Sequence, residues 1–316
     1  MELDAVLHPE VLARRQDLAT AFQRRDPFRN VVIEPFFRPE FAQALVDEFP
    51  KFDEAAAINE DGRVGGKSTQ ERVAGLGPSY RTLDRLARSK PFLSLVSTIT
   101  GIPELFYDPH YFGGGTHENR HGQDLDPHVD FNYHPITGQH RRLNLIVYLN
   151  PEWEESWGGC LDLHRDPSLP PEEDEIKRVA PVFNRGVIFE TTEWSWHGFE
   201  RINLPEDRRY LSRKSFALYY YTRTRPESEL GKSHSTIYVE RHLPDHIRAG
   251  RVLSEDDVEQ IRTLLTRRDQ HLKRLYRHIS ILDDKLAAVR GSVLWRLAKP
   301  LRMVERLLRS QSPRRR

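Results

Sequence analysis

The chain has 316 residues and a mass of 37.0 kDa, enough for one large domain or two ordinary ones with a core that needs neither disulfides nor a structural metal. Hydrophobic residues at 38%, with 15 Phe and 11 Tyr, exclude a wholly disordered protein, and the single cysteine, Cys160, excludes an internal disulfide and a cysteine-rich zinc site. The formal charge of +1 hides an asymmetry: residues 290–316 hold nine basic residues against Glu305, so this tail is +8 and residues 1–289 are −7. An acidic body argues against nucleic acid as a partner and leaves the tail alone to meet anionic surfaces. The opening MELDAVLHPE has acids at Glu2, Asp4 and Glu10 and no apolar stretch, so neither a signal peptide nor a membrane span is read, and a cytoplasmic location is expected.

In chain order, the pattern predicts an N-terminal helical cover with a first strand over residues 1–105. It comprises a helix over 5–24, the strand NVVIEPFF, and a helix in which Phe41, Leu45 and Phe49 recur at spacing four. A polar, glycine-rich loop runs from Ile58 to Gly77, followed by helical spacing from Tyr80 to Thr100. From about Phe106 the period changes to short strand-like runs between turn residues: LFYDPHYF, HVDFNYH, RLNLIVYLN, GGCLDLHRD, RGVIFET and KSFALYYYT. Residues 106–225 therefore read as a sandwich or jelly roll under a helical cover, and 226–253 as a linker. In 254–290, Val258, Ile261, Leu265, Leu272, Leu275, Ile279, Leu282, Leu286 and Val289 alternate at spacings of three and four, broken only at Arg268. This is the seam of a self-associating coiled coil, with a helix packed across the β-domain as the alternative. Residues 291–316 form a basic amphipathic tail interrupted by Pro300, suited to peripheral contact with the inner face of a membrane or to a protein partner.

Two HxD triplets could carry chemistry. Residues i and i+2 of a strand share a face, so His128 and Asp130 can reach one metal ion. His164 and Asp166 end a strand at a turn and read as structural. A third ligand must come from another strand, and His197, beside Trp194 and Trp196, is the candidate. In the strand from Arg213 to Thr222, Arg213, Ser215, Ala217 and Tyr219 share one face. An inward arginine there is costly unless it meets an acid, and a dicarboxylate would supply one. Tyr148, on the same strand face as Asn144, could add a hydroxyl.

The order of HVD (128–130), IVYLNPEW (146–153), WGGCLDL (157–163), PVFNRGVIF (181–189), His197 and SRKSFALYYYT (212–222) resembles the iron(II)- and 2-oxoglutarate-dependent oxygenases, most of all their prolyl 4-hydroxylase branch. The likeness covers residues 30–225. It implies a mainly β, cupin-like double-stranded β-helix, a site for Fe(II), 2-oxoglutarate and O2, iron ligands His128, Asp130 and His197, and a cosubstrate carboxylate held by Arg213 and Tyr148. Asn144, Ser215 and Tyr111 are further candidates for the cosubstrate pocket. Because INLPEDRRYLS lengthens the gap after His197, Arg209 and Lys214 remain alternatives to Arg213. Asp130 leaves no room for a halide, and the resemblance therefore implies hydroxylation or another oxidation.

For the substrate, the polar stretch from Tyr111 to Asp124 is expected to line the pocket mouth, together with Asn132, Tyr133, Trp194 and Tyr219. The tail resembles those of bacterial surface-glycan enzymes, which points to a sugar or glycan intermediate. A protein prolyl or other side-chain hydroxylase is the alternative, and a non-catalytic cupin-like binding module on a coiled-coil scaffold is the reading from another class.

Overall fold

The computed structural model describes residues 2–57, 67–170, 172–239, 243, 246–292 and 295. The chain divides into two units, Met1–Asp245 and His246–Arg316. In the first unit the cover comprises α1 (Pro9–Ala13), α2 (Arg15–Phe22), β1 (Asn30–Ile33), α3 (Pro39–Asp47), β2 (Ser68–Gln70), α4 (Pro78–Ala87) and α5 (Lys90–Thr100). The helix expected over 5–24 is split at Arg14 into α1 and α2. Capping sets the limits of α5: the Ser89 side chain accepts a bond from the Phe92 N–H, and Gly101 closes the helix at φ 72°, where a side chain would be strained.

The strands that follow are β3 (Phe106–Tyr107), β4 (Gly115–Asn119), β5 (Leu125–Val129), β6 (His140–Tyr148), β7 (Leu161–His164), β8 (Ile176–Val179), β9 (Gly186–Glu190), β10 (Trp196–Phe199), β11 (Arg213–Thr222) and β12 (Ile237–Tyr238). They form a seven-stranded sheet, β1-β9-β6-β11-β4-β2 with β3 added to β11, and a five-stranded sheet, β12-β5-β10-β7-β8. Every pairing is antiparallel. This is the mainly β, jelly-roll-like fold with helical cover that the strand pattern predicts. Two expectations change. The GTHEN part of the polar stretch expected at the pocket mouth is β4, a strand of the large sheet, and the expected linker contains β12, which pairs with β5.

Alternation decides what each face of the large sheet does. On β11, Phe216, Leu218 and Tyr220 point outward into the main core, where Leu143, Leu145 and Val147 of β6 and Ile188 of β9 meet Phe22, Leu45, Leu83, Phe92 and Val96 of the cover helices. Arg213, Ser215, Ala217 and Tyr219 point the other way. Both faces are buried, so slipping β11 by one residue would drive an arginine into the apolar layer; the register is fixed by that cost.

The second unit contains α6 (Glu255–Gly291). Ser254 and Asp257 form a capping box, each side chain bonding the other's backbone N–H. Most of the tail, including Pro300, lies outside the described residues, as does the 58–66 part of the glycine-rich loop. Among the described residues no helix is long and apolar enough to cross a membrane.

Candidate metal centre and its anion pocket

His128 and His197 are direct partners on the adjacent strands β5 and β10, with ring centroids 4.3 Å apart. Asp130 follows β5, its carboxylate 3.8 Å from His128 Nε2 and 3.5 Å from His197 Nε2. One ligand atom from each lies within 4.8 Å of the others, and among the described residues this is the one such group of three. The imidazoles are oriented alike. His128 Nδ1 lies 2.9 Å from the Asp126 carbonyl and His197 Nδ1 lies 2.9 Å from the Ser195 carbonyl, so each donates from Nδ1 and turns a bare Nε2 to the shared point. Burial first, and then each other's charge, push His128 down to about 3, and burial also lowers His197, so both rings are neutral donors at physiological pH. Two neutral nitrogens and one carboxylate on one side of a point suit a divalent iron with open positions.

The carboxylate is held from behind by Asn144 and by Arg141, the second of which the sequence pattern does not single out. Asp130 Oδ2 accepts from Asn144 Nδ2 at 2.8 Å and faces Arg141 at 3.0 Å. Arg141 is 1% exposed, bonds the Asn144 amide oxygen through Nε and its terminal nitrogen, and is stacked over the rings of Tyr219 (3.6 Å) and Phe131 (4.4 Å). Burial alone would raise the Asp130 pKa; Arg141 above all, and then the two imidazoles, outweigh it and hold the carboxyl well below the ordinary range.

Across the large sheet, on the same inner face, stands Arg213. It is 5% exposed, donates from Nε to the Gly159 carbonyl at 2.6 Å and from a terminal nitrogen to the Tyr148 hydroxyl at 3.3 Å, and packs over Phe199. No carboxylate among the described residues pairs with it, and burial lowers its pKa. Of the alternatives, Arg209 is exposed and Lys214 lies on the opposite face of β11, over the Phe49 ring at 5.7 Å. Ser215 sits between His117 of β4 and Tyr148 of β6, on Arg213's face.

Other candidates are placed differently. Tyr111 turns at φ 50° into the helix-side core, its ring against Tyr107 and Phe216 and its hydroxyl on Asp84 at 3.2 Å, so it is removed from the pocket wall. Asn144 supports Asp130 instead of joining Arg213. Asn132 donates to Glu193 and to the Lys232 carbonyl and accepts from the His234 N–H, and the Tyr133 hydroxyl reaches the Gly231 carbonyl. Both thus hold the segment leading into β12. Tyr219 supports Arg141 and donates to the Gly113 carbonyl at 2.9 Å, whereas Trp194 is exposed. His164 Nδ1 is bound to Asp174 at 2.7 Å, a structural pair as its position predicts.

The jelly-roll-like fold thus brings two imidazoles and a carboxylate to one point. Residues 114–221, the segment that carries His128, Asp130, His197 and Arg213, match the model of the 2OG-Fe(II) oxygenase superfamily. Over 119 residues the chain is 32% identical to prolyl 3-hydroxylase OGFOD1 of Mus musculus, an overlap of 33% of this chain and 21% of that protein. The match thus spans about a fifth of that relative's length. Similar solved structures include a Trichoplax adhaerens prolyl hydroxylase in complex with a hypoxia inducible factor peptide fragment (16% identity, 68% of this chain, 93% of that one, TM-score 0.46). A Pseudomonas putida prolyl-4-hydroxylase is another (19% identity, 68% of this chain and all of that one, TM-score 0.43).

Proposed function

We propose that the protein is an iron(II)- and 2-oxoglutarate-dependent hydroxylase whose substrate is a prolyl or other side chain of a peptide or protein. The observation that carries the cofactor reading is a buried guanidinium without a carboxylate, on the wall facing a ready-made His-Asp-His site. A buried, unpaired charge costs several kcal/mol, roughly 3–5 by the usual measure, and a dicarboxylate entering the pocket supplies the missing partner. In this reading His128, Asp130 and His197 hold the metal, and Arg213 with Tyr148 holds the distal carboxylate. Iron(II), bound with the oxo acid and O2, supplies oxidative decarboxylation to succinate and transfer of one oxygen to a C–H bond. The protein fixes the imidazole tautomers, keeps Asp130 ionised through Arg141 and Asn144, and shields the site from water.

The peptide substrate rests on the 32% identity to a prolyl 3-hydroxylase over 119 residues. The expected glycan substrate finds no support in the comparisons, and two of the four residues expected to meet the substrate, Asn132 and Tyr133, are occupied with the segment before β12. Anaerobic titration with iron(II) and then 2-oxoglutarate tests the cofactor part. A visible charge-transfer band should appear, be abolished by Asp130→Ala and weaken with Arg213→Ala; its absence from folded wild-type protein would favour the binding-module reading. Proline-containing peptides and sugars, compared for stimulation of succinate release, test the substrate class.

We also infer self-association through α6, on which Leu265, Leu272, Leu275, Ile279 and Leu282 are exposed although they occupy seam positions. An apolar seam of this length is costly in water, and a second copy of the same helix is complementary to it.

A further inference from the structure

One cation in the pocket has no part in the site so far described. Lys67 stands one residue before β2, which pairs with β4 in the register Thr69 to His117, and β4 pairs in turn with β11, His117 to Ser215. Alternation places Lys67 on the same wall as Thr69, His117, Ser215 and Arg213. Its ammonium lies 3.5 Å from His117 Nε2, and that nitrogen lies 3.0 Å from the Gly113 carbonyl, the group that also receives the Tyr219 hydroxyl. Tyr219 is the ring beneath Arg141, so this chain of contacts carries Lys67 to the metal end of the pocket.

The charges that act on it agree with that position. Burial is the main influence and pushes the ammonium down to about 8; of the charged groups Asp130 acts most strongly, followed by Arg141, Arg213 and Glu71. Its hydrogen-bond partner is a neutral imidazole, because burial and then Lys67 itself hold His117 well below its ordinary pKa. No carboxylate among the described residues forms an ion pair with Lys67, and Asp130 is already engaged by Arg141 and Asn144. Two cations lacking acids therefore share one wall: the backbone of Lys67 stands level with Asn119 and Arg213, and its ammonium reaches along the wall to His117, toward Tyr219 and the metal end. They match a dianion that carries its carboxylates at its two ends.

We propose that Lys67 binds the metal-side carboxylate of the 2-oxo acid, so that the cosubstrate is held by a cation at each end. The inference deepens the cofactor reading above and rests on it. An ammonium at that place adds a charge-assisted hydrogen bond that fixes the oxo-acid head against rotation about its distal anchor.

The test uses the full chain loaded with Mn(II), which binds the oxo acid without turnover, and reads affinity from water-proton relaxation. Two probes separate the ends: 2-oxoglutarate, and pyruvate, which keeps the oxo-acid head and lacks the distal carboxylate. Lys67→Met should weaken both probes by a similar factor, about ten- to a hundredfold, with Lys67→Arg recovering most of the loss. Arg213→Met should weaken 2-oxoglutarate alone. Mn(II) affinity and the melting temperature should be unchanged in Lys67→Met, and loss of either would assign Lys67 to structure and overturn the proposal. So would affinities within twofold of wild type for both probes, or a loss confined to 2-oxoglutarate. Wild-type protein that takes Mn(II) but neither probe would instead overturn the cofactor reading itself, and this inference with it.

Discussion

Replacing Arg141 by methionine should expose how the metal ligand is held before any metal arrives. The guanidinium is 1% exposed and lies 3.0 Å from Asp130. At an effective dielectric constant of about 20, that separation corresponds to roughly 5–6 kcal/mol of attraction, and removing one partner of a buried pair ordinarily costs about 3–5 kcal/mol. Methionine keeps the stem and some of the packing on Tyr219 and Phe131, so the loss should come chiefly from charge. Apo Arg141→Met should therefore unfold about 3–5 kcal/mol more easily than wild type in urea. Saturating Mn(II) should widen that gap by about 1.4–2.8 kcal/mol, because an ion that the variant binds more weakly stabilises its folded state less. Metal affinity itself should fall about ten- to a hundredfold, as it does when a group that orients a ligand is removed. The double variant Asp130→Asn/Arg141→Met should lose less than the two single losses combined. A loss below about 1 kcal/mol in the apo protein, or a gap that metal leaves unchanged, would refute the view that Arg141 acts through Asp130.

Asp130→Asn should destabilise the apo protein at neutral pH. A carboxyl whose folded pKa is depressed contributes stability that is full above its unfolded value, about 3.9, and is lost as pH falls toward the folded value. The wild-type advantage over Asp130→Asn should accordingly be constant near neutrality and shrink below about pH 4 in pH-dependent urea unfolding. Gly158 has φ 71° and an added Cβ would stand 2.2 Å from the Arg201 carbonyl oxygen, whereas Gly138, at φ 69°, has nothing within 4 Å. Gly158→Ala should cost about 2–4 kcal/mol and Gly138→Ala only about 1–2, measured by thermal unfolding. Charge placed in the α6 seam, as in Leu275→Asp with Leu282→Asp, should lower the sedimentation mass to that of a monomer; an unchanged mass would remove the seam from assembly.

What could be read from the sequence follows the period of two. HVD, the lone imidazole after RGVIFET and the inward arginine of β11 are visible because strand phase links side chains a few residues apart, and the apolar runs between turns mark β6, β7, β9 and β11. Arg141 was hidden because it lies at the start of a run that reads as apolar, and its role depends on a turn that brings Asp130 beside it from another strand. Lys67 and His117 were hidden for a different reason. GTHEN has no apolar signal, since its inner face is pocket wall and its neighbours in the sheet complete its burial, so it reads as loop. Tyr111 was misplaced because sequence gives no warning of a left-handed turn at a tyrosine. Asn132 and Tyr133 sit close to the ligands in sequence, and only the structure reveals that the segment before β12 occupies their polar groups.

The stretch from Arg201 to Ser212 joins β10 to β11 and is the place where the chain is longer than its resemblance implies. Length there can drift over generations between Pro205 and Tyr210, which are mostly exposed, whereas Ile202 and Leu204 before them are buried with Trp153 and Trp157. Within β11 the same change would be ruinous. One added residue would exchange the two walls of the strand, facing Phe216 toward the metal and Arg213 toward the helices. Lineages related to this chain should therefore differ by gaps before Ser212 and hardly at all between Arg213 and Thr222, a pattern of inheritance set by the pleat of one strand.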